Sequence, residues 1–112
     1  MDSFRRTTSD QLREKLNRGE RLLMVDLRNR DEYEHEHIAG SINIPVDTLD
    51  IERFLRTHDD TAIYLICNSG KNAYIAASKF FDCGFFEVIV IAGGILSWRV
   101  LGYPLVHQTG NK

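Results

Sequence analysis

The stretch "LICNSGKNA", residues 65–73, brings a cysteine out of an apolar run and then turns through Ser69, Gly70 and Lys71 toward a helical segment. Two chemistries are open to a cysteine in such a place. A loop that leads into a helix start carries backbone N–H groups with no intrahelical acceptor, and the helix dipole adds partial positive charge there. A thiolate at the centre of those donors would be stabilised and would act as a nucleophile. Gly70 permits the positive φ that a cradle of N–H groups needs, and Lys71 brings the nearest full positive charge in sequence. The alternative is that Cys67 is a small hydrophobe closing a strand end, since non-disulfide cysteine is among the most buried residue types. The local residues leave both open. They do exclude a nucleotide phosphate loop, because GxxxxGK[ST] would need glycine at Leu65 and Ser or Thr at Asn72.

Positioning such a loop takes a scaffold, and hydrophobic periodicity supplies one. Ser9 precedes "DQLREKLNRG", where Leu12 and Leu16 recur four residues apart and Gly19 supplies a stop, which predicts an N-capped helix. Short continuous apolar runs at 22–26 ("LLMVD"), 62–66 ("AIYLI") and 87–91 ("EVIVI") predict strands buried on both faces. "SINIP" (41–45) reads as a shorter strand ended by Pro45, and residues 5–8 as a minor edge strand. Between them, the charged segment 29–40 predicts a short helix and loop with Tyr33 and Ile38 turned inward. Residues 48–58, 72–84 and 95–102 predict further helices, the last after a tight Gly93-Gly94 turn. Strands alternating with helices imply an α/β fold with a five-stranded parallel sheet, helices on both faces and right-handed crossovers. In open sheets of this kind ligands bind beyond the carboxyl ends of the strands, and Asp26, Cys67 and Gly93 all fall at or just past such ends.

The bulk composition narrows the partners. A chain of 112 residues with 43% apolar and 27% charged side chains is ordinary for one globular domain, and no repeat or linker divides it. Fourteen basic against sixteen acidic residues leave a net charge of −2, so no broad field attracts nucleic acid or an anionic membrane. No apolar run approaches the roughly 20 residues that span a bilayer. The polar start "MDSFRRTTSDQLREKL" lacks an apolar signal-peptide centre, so a cytoplasmic location is expected. With only Cys67 and Cys83 present, a disulfide framework is not expected there.

Three linked blocks resemble the rhodanese-like domain family. "LLMVDLRNRDEYEHEHIAGSINIP" resembles its amino-terminal signature, a D-x-R motif before an acidic helix and an H-I-x-G-[AS]-x-N-I-P segment. "CNSGKNA" resembles its active-site loop, and "GFFEVIVIAGGILSWRVLGYP" its closing block. The resemblance covers roughly residues 8–105, in order and spacing, and implies one rhodanese domain over residues 1–112 with a polar tail at 106–112. The family fold it implies is a three-layer sandwich around a five-stranded parallel sheet.

The activity it implies is transfer of sulfane sulfur from thiosulfate or another persulfide donor to a thiol, cyanide or protein acceptor, with no metal or organic cofactor. By the same resemblance Cys67 is the nucleophile, and the cradle is formed by Asn68, Ser69, Gly70, Lys71, Asn72 and Ala73. The loop from Cys67 to Asn72 has the length of family sulfurtransferases. The related phosphatases use a loop one residue longer that ends in arginine, where this chain has Ala73. Many small members carry arginine where Asn72 stands, so weaker binding of a doubly charged donor is expected, with Lys71 compensating only as a point charge.

The remaining residues take supporting parts. Asp26 and Arg28 are expected to fix the strand end by hydrogen bonds and an ion pair reaching Glu32, with support of the Cys67 loop as the alternative part. Trp98 is expected in the core or the pocket wall. His35 and His37 lack a third ligand at metal spacing, and His37 is expected to order the loop before the strand at 41–45. Cys83, at a helix end with no anion cradle, is expected to pack, with a resolving thiol as the lesser alternative. The rivals to a sulfurtransferase are a non-enzymatic interaction module of the same fold and a cysteine-dependent phosphatase or arsenate reductase.

Overall fold

A computed structural model of the chain describes residues 5–58, 61–69 and 71–107. Five strands, β1 (Arg5–Thr7), β2 (Leu23–Asp26), β3 (Ile42–Asn43), β4 (Ile63–Ile66) and β5 (Val88–Ile91), form one sheet in the order β1-β5-β4-β2-β3. Every pairing is parallel, so the expected architecture holds. The two longest neighbours of β4 pair along most of its length, Leu23 with Ile63 through Asp26 with Ile66 on one side and Ile63 with Val88 on the other. β4 is thus the central strand, and all four of its residues are buried. That burial on both faces is why its sequence is continuously apolar rather than alternating.

Helices α1 (Ser9–Asn17) and α5 (Gly94–Val100) cover one face, and α3 (Ile51–Thr57) and α4 (Lys71–Asp82) the other; α2 (Arg30–His35) follows β2. On the first face Leu12, Ile95 and Trp98 pack with Met24, Tyr64, Ile66, Ile89 and Ile91. On the second, Ile51, Phe54, Ala76, Ala77 and Phe80 pack with Val25, Ile63, Leu65, Val88 and Val90. The alanines at 73, 76 and 77 let α4 lie close on the sheet, with Phe80 filling the far end.

The helix starts differ from the sequence reading: α4 and α5 begin one residue earlier than read, at Lys71 and Gly94, and the starts of α1 and α3 are set by their caps. The cap of α1 is Thr8 rather than Ser9: its hydroxyl accepts from the Gln11 N–H at 3.1 Å while the Gln11 side chain accepts from the Thr8 N–H at 3.0 Å. The glutamine three residues on completes a reciprocal box that a cap at Ser9 would forfeit. Ser9 is instead buried, bonded to the Ser97 hydroxyl at 3.1 Å. α3 begins at Ile51 rather than 48, because the Asp50 carboxylate caps the Arg53 N–H at 3.2 Å, and Val46–Thr48 forms a separate 3-10 turn.

Candidate active site

The carboxyl ends of β2 and β4 lie side by side, with Asp26 paired to Ile66. Cys67 is the next residue, and the period of two along β4 fixes its side. Ile63 and Leu65 face the α3/α4 layer, Tyr64 and Ile66 the α1/α5 layer, and Cys67 falls in step with the first pair. Its side chain accordingly packs in the α3/α4 cluster with Ala73 and is 2% exposed. Asn68 and Ser69 are exposed, and α4 starts at Lys71, so a four-residue span separates strand end from helix start. Lys71 and Asn72 are exposed in the first turn, while Ala73 is fully buried. Gly70, expected in the cradle, lies outside the described residues.

The loop backbone is tied down from the opposite layer. The N–H of Ile95 donates to the Cys67 carbonyl at 2.8 Å, and that of Leu96 to the Asn68 carbonyl at 3.1 Å. Gly94 permits this approach. A Cβ there would stand 2.2 Å from the Cys67 carbonyl oxygen and 2.7 Å from that of Asn68, and its φ of +54° is one that glycine adopts without strain. The turn at Gly93 and Gly94 therefore brings the backbone at Gly94 against the loop.

Beside the loop sits a buried polar cluster. Arg28 is 4% exposed and Asp26 is fully buried; the Arg28 Nε bonds both carboxylate oxygens at 3.1 and 3.2 Å, and Nη2 reaches one at 3.0 Å. Arg28 Nη2 also donates to the Glu36 carbonyl at 2.6 Å. Asn43 clamps the same corner, its amide donating to the carbonyls of Asp26 and Arg28. The expected ion pair forms, but its third member is the main chain of Glu36 and not the carboxylate of Glu32. Glu32 instead accepts from the Asn68 side-chain amide at 3.1 Å, which links α2 to the cysteine loop. Asn29 caps α2 at Glu32 and so aims that carboxylate.

An open cavity of about 380 Å³ lies over this corner, lined by Arg28, Asp31, Glu32, His35, Asn68 and Arg99. Arg99 reaches it from α5 and pairs with the buried Glu36. Sequence reasoning singled out neither Arg99 nor Glu36. Their 63-residue separation leaves no local pattern to find, whereas the Asp26-x-Arg28 spacing advertises its own pair.

Other residues fall further off. Trp98 is 1% exposed in the core of the α1/α5 layer, donating from its indole to the Pro104 carbonyl at 2.9 Å and meeting Tyr103 edge to face. It is not among the residues lining the cavity beside Asn68. His37 stacks on Tyr33 at 3.8 Å, and its Nδ1 lies 2.7 Å from the Tyr33 carbonyl, which orders the segment leading to β3. Cys83, expected to pack, is instead exposed past the far end of α4, and neither cysteine is in a disulfide. Twelve helical residues between them amount to about 18 Å of rise, well beyond disulfide reach.

The profile of the Rhodanese-like domain matches residues 8–100. The chain is 33% identical over 86 residues to the putative sulfur carrier protein YrkF of Bacillus subtilis, covering 77% of this chain and 46% of that one. It is 32% identical over 110 residues to thiosulfate sulfurtransferase GlpE of Pseudomonas paraeruginosa, covering 97% and 96% respectively. The chain thus spans about half the length of the first relative and nearly all of the second. Among solved structures, the BH2092 protein of Bacillus halodurans superposes with a TM-score of 0.82 at 27% identity, over 93% of this chain and 77% of that one.

Proposed function

The chain belongs to the rhodanese-like domain family, and from that premise we propose that it is a sulfurtransferase that carries sulfane sulfur on Cys67. The placement of Cys67 supports this reading most. Its side chain is set at the end of the central strand and faces the layer whose helix α4 begins four residues later. Loop and first-turn N–H groups in that arrangement favour negative charge on sulfur.

The cycle needs only this chain and two small reactants. The Cys67 thiolate attacks the outer sulfur of thiosulfate, a Cys67 S–S bond forms, the donor S–S bond breaks, and sulfite leaves with the bonding electron pair. A thiolate acceptor then attacks the terminal sulfur of the persulfide, taking that atom and returning the Cys67 thiolate. Negative charge stays on sulfur or oxygen throughout, so donors already aimed at the loop serve both steps without reorganising. Cyanide or a protein thiol can take the acceptor's place by the same displacement. Asn68, Ser69, Gly70, Lys71, Asn72 and Ala73 form the anion loop, and Asp26 and Arg28 hold its neighbouring strand end. Ala73, fully buried, places no cation where a phosphatase loop would end in arginine.

No described helix is long and apolar enough to cross a membrane, and a reducing cytoplasm suits a thiol carrier of this kind. Intact mass after exposure to thiosulfate tests the reading. One added sulfur should survive Cys83→Ser and vanish in Cys67→Ser. Retention of the added mass in Cys67→Ser sinks it, and hydrolysis of an aryl phosphate that depends on Cys67 would point to a phosphatase instead.

A further inference from the structure

Helix α5 lies on the sheet face opposite the Cys67 side chain, yet its first amides hold the cysteine loop. In a trans peptide the carbonyl and the following N–H point in opposite directions. The Cys67 carbonyl turns toward the start of α5 to accept from Ile95, so the Asn68 N–H turns away from it, while the Cys67 side chain lies on the α4 side of the sheet. The Asn68 carbonyl turns toward Leu96, and the Ser69 N–H is driven the same way. We propose that these two bonds, admitted by the missing side chain of Gly94, aim the Asn68 and Ser69 N–H groups at the Cys67 sulfur and make Gly94 a positioning residue for sulfur transfer.

This rests on the reading of Cys67 as the sulfur carrier and adds a cause for its cradle. A cradle built only from the loop and α4 would have peptide planes able to rotate. Locking both carbonyls from behind leaves their N–H groups preorganised, which is the condition under which such donors stabilise charge most. Gly93 provides the matched control. Its φ of +78° carries the same backbone demand, but a Cβ there meets the Ser97 side chain at 2.7 Å and not the loop.

The test uses the Cys83→Ser protein, labelled with nitrogen-15 and loaded with thiosulfate. On loading, the Asn68 and Ser69 amide protons should move downfield, and the same should hold in Gly93→Ala. In Gly94→Ala the added sulfur should still be seen by mass, while the downfield shift collapses and the persulfide decays about tenfold faster. Should Gly94→Ala fail to fold, an ester replacing the Leu96 N–H keeps the exposed leucine side chain and deletes one of the two bonds; it should lose the Ser69 shift and retain that of Asn68. Shifts and lifetimes in Gly94→Ala equal to those in Gly93→Ala, or an ester that changes neither, overturn the inference while leaving the sulfur-carrier reading intact. A parent protein that takes up no sulfur removes both.

Discussion

Arg28 folds back on Asp26, two residues earlier, and binds both oxygens of its carboxylate with the two side chains almost dry. The pair sits at the end of β2, one strand from Cys67, and its guanidinium extends to the Glu36 carbonyl. Such a corner is stiff only while both partners are present.

Removing one member should therefore cost more than removing both. Arg28→Met strands a buried carboxylate and is expected to lower unfolding free energy by about 3–5 kcal/mol. The double variant Asp26→Leu with Arg28→Met should recover part of that loss. Urea denaturation of the two singles and the double measures it, and additive effects would contradict the coupling.

Restoring a forked cation at the loop should strengthen the grip on a dianion. Asn72 is exposed in the first turn of α4, so Asn72→Arg places a guanidinium there without disturbing the core. The KM for thiosulfate is expected to fall by about 3–10-fold, with the gain shrinking at high salt. Steady-state cyanide assays at two ionic strengths check it, and an unchanged KM contradicts it.

The two cysteines should behave as strangers. Cys83 is exposed and Cys67 is 2% exposed, so a bulky maleimide should label one site in the native protein and both after denaturation. Mild oxidation should give no internal Cys67–Cys83 disulfide, because α4 holds them apart. Peptide mapping under non-reducing conditions reads both results, and an internal crosslink in folded protein would refute the second.

Thr8→Ala should destabilise the protein by about 1 kcal/mol, the usual cost of losing a cap. Gln11→Ala should cost less, since it leaves the Thr8 side-chain bond in place. Thermal unfolding of the pair ranks them, and equal losses would show the box to act as one unit.

Much of this molecule is legible in its sequence because its signals are local. The continuous apolar runs at β2, β4 and β5 announce strands buried on both sides, and the order of elements then leaves few topologies. The site is legible to the same depth: Cys67 at a strand end and Asp26 two residues from Arg28 are visible by spacing. What is not legible joins distant segments. Nothing in the sequence shows that Glu32 meets Asn68, that Arg99 meets Glu36, or that amides at 95 and 96 hold the cysteine loop. The α1 cap is a different case: Thr8 and Ser9 are chemically alike as caps, and the local Thr8-x-x-Gln11 box is what distinguishes them.

The sheet also offers little border to a second chain. Its two outer strands are the shortest, three residues in β1 and two in β3, and β1 carries the exposed, charged Arg5 and Arg6. A growing ribbon needs a long, flat, neutral border on which another chain can register. With such abbreviated borders, strand addition between neighbouring molecules has little backbone to grip. Edge-to-edge pairing is disfavoured by such borders, even though the interior strands β4 and β5 are continuously apolar.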